Sequence, residues 1–290
     1  MNFSMTKVDK KTGYIKSKDQ TPLFYRHFET ENPKAAVLLV HGFGEHGGRY
    51  DHVVERLRAE GYSVFCIDFR GHGHSQGVRG DVQAFDRYEE DVHAALAHLK
   101  ESQGKDTKIF VVAHSMGALV ALRMLTKMGK HVDGIVLSCP LFALKMKVPT
   151  WKKWAAIIAA SVAPTVRVKT GIRGKHLSSD VSVAQAYDHD PLVLKNLSAR
   201  AFYEIYQGCL SADELSGTLK HSILLQVAGD DPVVDAERAQ SWFKNIDKNK
   251  VDATLKVYPG FLHEIYNESK KEEAIDDFIS WLNRRASDVN

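Results

Sequence analysis

The feature that most constrains the fold is a strand-to-helix junction with no room for a linker. The β-branched apolar run Ile109-Phe110-Val111-Val112-Ala113 leads into His114 and Ser115. Directly after it, Met116-Gly117-Ala118-Leu119-Val120-Ala121-Leu122 leaves with helical character. A turn this sharp holds its central residue in a sparsely populated backbone conformation, with the side chain at the tip. Its neighbours must be small, because bulky side chains clash as strand and helix close up. Gly117 meets that need, and Ala113 adds a single methyl to the glycine commonly found there.

A second serine competes on spelling. Gly73-His74-Ser75-Gln76-Gly77 fits the G-x-S-x-G pattern letter for letter, whereas Ala113-His114-Ser115-Met116-Gly117 departs from it by one residue. Ser75, however, sits in the glycine-rich stretch Arg70 to Gly80, with no helix-forming run after it. The pattern works only through its strand–turn–helix setting, so Ser115 is the expected nucleophile.

Short β-rich runs alternate with helical patterns along most of the chain. Thr21 to Phe28 alternates polar and apolar residues, as an edge or hairpin strand does. Ala35 to Val40 is continuously apolar, as expected of a strand buried on both faces. A helix is expected over Tyr50 to Glu60, a strand over Tyr62 to Ile67, a helix over Phe85 to Lys100 and strands at Ile109 to Ala113 and Gly134 to Leu137. From Pro140 to about Leu219 the sequence shows helical segments and loops but no convincing strand. Alternation resumes with a strand over Ile223 to Val227, a helix near Glu237 to Ile246, the strand Ala253 to Tyr258 and a last helix over Lys271 to Arg285. The β-α alternation predicts an α/β fold, a mostly parallel, doubly wound sheet with helices on both faces. The strandless interval reads as a helical cap inserted after the sixth core strand, above the carboxyl edge where such sheets bind ligands. The expected division is a core of residues 1–139 and 220–290, with a cap of 140–219.

Composition narrows the function by exclusion. Over 290 residues, 44% hydrophobic and 26% charged content is ordinary for a soluble globular protein. A net charge of +3, with no basic run interleaved with aromatics, gives no support for nucleic acid as a partner. The amino terminus shows no apolar stretch of the secretory kind, and the longest apolar run, Trp154 to Ala163, is about half what a membrane span needs. Cys66, Cys139 and Cys209 lie far apart, without C-x-x-C spacing, which favours a reducing, cytoplasmic setting.

A serine hydroxyl needs a base to take its proton and an acid to orient that base. For the acid, three aspartates compete in Ala228-Gly229-Asp230-Asp231-Pro232-Val233-Val234-Asp235. Asp231 is preferred because a fold of this kind commonly places its acid directly before a loop of the Pro-Val-Val type; Asp235 reads better as a helix N-cap and Asp230 as a turn residue. For the base, fourteen histidines offer themselves. His263 alone ends a strand downstream of the acid, in Tyr258-Pro259-Gly260-Phe261-Leu262-His263-Glu264. An oxyanion hole requires two backbone N–H groups, here expected from Met116 and from Phe43 in His41-Gly42-Phe43-Gly44. No cofactor or metal is called for. A zinc site at His72 and His74 fails for want of a third ligand at useful spacing.

The stretches His41 to Tyr50 and Asp68 to Gly77, the Ser115 turn, Tyr187-Asp188-His189-Asp190-Pro191-Leu192 and the Asp231 and His263 loops together resemble the monoacylglycerol lipase and lysophospholipase branch of the α/β-hydrolases. The resemblance runs from about Thr21 to Trp281. It implies a serine hydrolase acting on lipid-like monoesters, and it makes the Arg70–Gly77 stretch a structural loop. It also implies a polar pocket for the alcohol portion of the substrate, with Glu45, Arg49, His114 and Tyr187 at the matching positions. Glu45 and Arg49 have a second reading, as a pair that braces the loop beneath the oxyanion hole. The rival functions are a short-chain esterase or thioesterase, an aminopeptidase of the same fold and a non-catalytic ligand-binding member.

Charge is distributed unevenly. Between Leu141 and Ser179 there is no Asp or Glu, while Lys145, Lys147, Lys152, Lys153, Arg167, Lys169, Arg173 and Lys175 contribute a formal +8; with +3 overall, the rest of the chain carries −5. The centre of this interval, Trp151 to Ala160, mixes indoles and lysines with an apolar segment. That combination predicts an interfacial helix in peripheral contact with anionic membrane.

Overall fold

The computed structural model describes residues 10–104, 106–128, 132–146 and 158–287. The strands are β1 (Lys10–Lys16), β2 (Pro22–Phe28), β3 (Ala35–Val40), β4 (Tyr62–Ile67), β5 (Ile109–His114), β6 (Gly134–Ser138), β7 (Arg167–Lys169), β8 (Asn196–Ser198), β9 (Ile223–Ala228) and β10 (Ala253–Tyr258). Eight of them form one sheet in the order β1-β2-β4-β3-β5-β6-β9-β10. The pairs β1–β2 and β2–β4 are antiparallel, and every pair from β4 to β10 is parallel. Strands β3, β4, β5, β6 and β9 are buried along their whole length, which accounts for their unbroken apolar sequence.

The helices that matter here are α1 (Asp51–Ala59), α2 (Asp86–Ser102), α3 (Ser115–Met128), α4 (Val181–His189), α5 (Ala199–Leu210), α6 (Ala212–Ser216), α7 (Ala236–Lys244) and α8 (Lys271–Ser287). The chain winds outward from β3 through α1 to β4, then returns past β3 through α2 to β5. Right-handed crossovers in opposite directions put α1 on one face and α2, α3 and α7 on the other. Side chains tie each layer together. Arg56 of α1 pairs with Asp276 of α8 at 2.5 Å, and Arg123 of α3 pairs with Glu89 of α2 at 2.5 Å. The carboxyl ends of β3 and β5 therefore flank the point where the winding reverses, which is where sheets of this kind carry their ligand sites.

Thr21–Phe28 contains a hairpin strand, as expected, but its partner β1, in register from Lys10 opposite Phe28 to Lys16 opposite Pro22, was not expected. β1 escaped notice because most of its side chains are exposed, leaving no apolar pattern to read. Within the interval expected to lack strands, β7 and β8 form a separate antiparallel pair, too short to leave a periodic trace.

The described residues between β6 and β9 run over the carboxyl edge of the sheet. Their backbone is bonded to the core loops: Leu194 N–H donates to Gly44 C=O at 2.7 Å, Glu264 N–H to Leu177 C=O at 2.8 Å and Ser198 N–H to Gly80 C=O at 2.9 Å. The segment Trp151–Ala160, including Lys152 and Lys153, lies outside the described residues except for its last three positions, which are helical. Among the described residues no helix is long and apolar enough to cross a membrane.

Candidate active site

Strand β5 ends at His114 and α3 begins at Ser115, with no intervening residue. Ser115 has φ of 51°, a left-handed conformation that side-chain-bearing residues rarely adopt, and it is buried. Close packing explains the small neighbours. A Cβ on Gly117 would stand 2.2 Å from His41 O, and one on Gly42 would stand 3.0 Å from Ser115 Cβ. Ala113 is buried in β5, and the turn at Ser115 forms with its methyl in place.

Ser115 Oγ lies 2.9 Å from His263 Nε2, and His263 Nδ1 lies 2.7 Å from Asp231 Oδ2. The other carboxylate oxygen, Asp231 Oδ1, accepts from the N–H groups of Val233 at 2.8 Å and Val234 at 2.9 Å. Those two bonds aim the carboxylate and leave its second oxygen to the imidazole. Asp235 instead caps α7, accepting from Arg238 N–H at 3.0 Å. Burial alone would lower the His263 pKa; the adjacent Asp231 carboxylate outweighs it, and the net displacement is upward. The structure thus brings Ser115, His263 and Asp231 into one hydrogen-bonded relay of buried groups.

The loop after β3 borders the same point. Met116 lies in the first turn of α3, where N–H groups have no intrahelical acceptor. Phe43 lies on the loop whose Gly42 touches Ser115, and its ring packs edge-on against His72 with centroids 5.1 Å apart. His41 holds this loop by its ring. Its Nδ1 donates to Gly42 C=O at 2.7 Å, and its Nε2 accepts from Phe69 N–H at 3.0 Å. Burial drives the His41 pKa down to about 3, so the ring is neutral and this tautomer is the one its partners require.

Glu45 and Arg49 are engaged mainly by the protein. Glu45 Oε1 accepts from Gly42 N–H at 2.6 Å and from Tyr50 OH at 2.8 Å, while Oε2 is buried without a hydrogen-bond partner. Arg49 grips Glu264 through two bonds of 2.6 and 2.7 Å and approaches Glu45 at 3.6 Å. Burial and the neighbouring Glu264 raise the Glu45 pKa to about 7. Tyr187 lies between two cations, Arg49 at 4.7 Å and Lys195 at 4.3 Å from its ring centre. His114 sits 4.7 Å from the His263 ring, with Nδ1 3.1 Å from Ser138 Oγ, and burial holds its pKa well below the ordinary value. Glu264 and Ser138 were not anticipated; only the position of Glu264 beside His263 hinted at a role.

Ser75 has a different occupation. Its hydroxyl donates to Asp68 C=O at 2.5 Å and accepts from Phe24 N–H at 2.8 Å, stitching the glycine-rich loop to β2. His72 packs among Phe43, Phe69 and Tyr88. Among the described residues, the one grouping of His, Cys and acidic donors close enough to hold a metal ion is Cys139, Asp231 and His263, two of which belong to the relay.

The sequence and fold have counterparts among known proteins. The sequence profile of the family described as serine aminopeptidase, S33 (Hydrolase_4) matches residues 31–270. The chain is 30% identical over 261 residues to the monoacylglycerol lipase of Mycolicibacterium smegmatis, covering 87% of this chain and 89% of that one. It is 29% identical over 248 residues to phospholipase YtpA of Bacillus subtilis, covering 85% and 94%. An abhydrolase domain-containing protein of Dictyostelium discoideum is 30% identical over 254 residues; the match takes in 87% of this chain but spans only 27% of that longer relative. Among solved structures, the monoacylglycerol lipase of Paleococcus ferrophilus superposes with a TM-score of 0.82 at 27% identity, over 91% of this chain and 99% of the other. With the profile match extending over most of its length, this chain belongs to the serine aminopeptidase S33 (Hydrolase_4) family of α/β-hydrolases.

Proposed function

We propose that this protein is a serine carboxylester hydrolase that cleaves lipid-like monoesters, monoacylglycerols or lysophospholipids, through an acyl-enzyme on Ser115. The observation that carries the reading is the relay from Ser115 Oγ through both ring nitrogens of His263 to Asp231. His263 Nε2 takes the serine proton as Oγ attacks the acyl carbonyl, and Asp231 stabilises the imidazolium that forms. The amides of Phe43 and Met116 receive the oxyanion, each worth ~10²–10³ in rate. His263 then protonates the departing alcohol and draws a proton from water to release the acid. The substrate class rests on the relatives named lipase and phospholipase and on the polar groups Glu45, Arg49, His114 and Tyr187 beside the relay. For the alcohol portion, Glu45 Oε2, buried without a hydrogen-bond partner and 3.6 Å from Arg49, is the atom available to a substrate hydroxyl, while Arg49 acts as the brace beneath the loop.

We assign residues 140–219 to a cap over a core of 1–139 and 220–290. We further propose a cytoplasmic protein whose cap makes peripheral contact with anionic membrane. Its support is the +8 interval together with the exposed apolar side chains Ile158, Val162 and Val166. Binding to liposomes should rise with anionic lipid and fall in a Lys152→Glu, Lys153→Glu variant; indifference to both removes the membrane claim.

The decisive experiment on activity is labelling with a fluorophosphonate and mapping the modified peptide. Turnover is then measured on esters of graded acyl length, a thioester and an aminoacyl anilide. Labelling at Ser115, with long-chain monoesters preferred and turnover lost in Ser115→Ala, supports the reading. A short-acyl optimum would move it to the esterases, and anilide hydrolysis to the aminopeptidases.

A further inference from the structure

The carboxyl end of β6 and the residues just after it border the relay, and one side chain there has no role in the mechanism above. Ser138 Oγ meets His114, Leu141 N–H donates to Ser115 C=O at 3.1 Å, and Cys139 lies between them. Cys139 has φ of 44°, a left-handed conformation shared by few non-glycine residues among those described, and its N–H donates to Gln226 C=O at 2.8 Å. Surroundings that hold a side-chain-bearing residue in that conformation also dictate where its side chain goes. Its sulfur, an Asp231 carboxylate oxygen and a His263 ring nitrogen all lie within 4.8 Å of one another, and all three residues are buried.

Resting on the hydrolase reading, we propose that Cys139 is a positioning residue for Asp231, its thiol an additional donor to the carboxylate that orients His263. A carboxylate offers about four acceptor positions. The Asp231 bonds to Val233, Val234 and His263 use three of them. Burial, and then the Asp231 charge, push the Cys139 thiol well above its usual range, so it remains S–H, a donor and not a thiolate. Deleting the donor leaves more of the carboxylate charge to the imidazolium. The acid limb of the pH–rate profile, set by His263, then moves to higher pH. The other charged or titratable groups around that ring are His114 from β5, Glu45 and Arg49 from the β3–α1 loop, and the adjacent Glu264.

The test compares wild type, Cys139→Ala and Cys139→Ser on a soluble activated ester across pH. The alanine variant should lose about 3- to 10-fold in kcat with KM little changed, because a carboxylate missing one weak donor holds the His263 ring less firmly in line with Ser115, and its acid limb should move up. Serine, which restores a donor, should recover both. An alanine variant equal to wild type, or a serine variant as impaired as alanine, overturns the proposal; the second result would assign the side chain to packing. An infrared measurement on folded wild type and Asp231→Asn decides the matter where the Cys139 variants fail to fold or the chain shows no turnover. One S–H stretching band of the wild-type protein should be lowered by its carboxylate acceptor and rise in Asp231→Asn; a band that does not move also overturns it. Loss of turnover in Ser115→Ala, by contrast, tests only the underlying hydrolase reading.

Discussion

Two serines with similar local spelling have opposite environments. Ser115 is held at positive φ with its hydroxyl on an imidazole, whereas the Ser75 hydroxyl is spent on two backbone groups. The consequence is a clean separation of stability from activity. Ser75→Ala strands the Phe24 N–H and the Asp68 C=O and should cost about 1–3 kcal/mol. Ester turnover by the folded variant should stay within about two-fold of wild type, since none of the relay's bonds is among those removed. Thermal unfolding paired with a turnover assay checks this, and a stable but inactive Ser75→Ala would reverse the assignment of the nucleophile. At this scale much was legible: Asp231 and His263 were found from strand ends and loop chemistry. The carboxylate that Arg49 grips was not, because Glu264 lies 215 residues away and ion pairing leaves no periodic mark.

At the scale of elements, the junction of β5 and α3 is a contact as well as a turn. Gly117 faces the carbonyl of His41, so helix α3 can start where it does only because position 117 has no side chain. Gly117→Ala would place a methyl 2.2 Å from that oxygen. The expected result is an overpacking cost of about 1–3 kcal/mol and, because the displaced loop carries the Phe43 amide, a fall in kcat of roughly 10²-fold. Stability and kcat measured on the same preparation would show whether the two losses occur together; a destabilised variant with full kcat would disconnect the β3 loop from catalysis. The buried strands were readable because both faces of each meet helices, which makes their sequences continuously apolar. β1 and the β7–β8 pair were not, since exposed or three-residue strands carry no such pattern.

Over the whole molecule, buried histidines make stability depend on pH. Burial lowers the pKa of His41 and His72 to about 3 and of His27 to about 4. Each is therefore neutral when folded but takes a proton near its ordinary value of about 6.5 when unfolded. Below that pH the unfolded chain binds more protons, so stability falls as pH drops from about 6.5 towards 4. By pH 5 the loss should be roughly 2 kcal/mol per histidine. His263 works with the opposite sign: its raised pKa contributes stability in full below the unfolded value, lost as pH rises through the folded one. Denaturant unfolding between about pH 4 and 7 should show the net decline, and His72→Gln should flatten it. A midpoint that holds constant across that range would mean these rings are protonated, or accessible, in the folded state.

The sequence alone determined most of the alternation of strands and helices and the sharp turn at Ser115, because each is written in local periodicity, residue size and turn chemistry. The tertiary structure decided which groups meet. It joined His263 to Ser115 across 148 residues, engaged Arg49 with Glu264 rather than leaving it free and set Cys139 beside Asp231. Those meetings depend on where the winding of the sheet reverses, and distance in space between residues far apart along the chain is a property of the packed molecule, to which no stretch of neighbouring residues is sensitive.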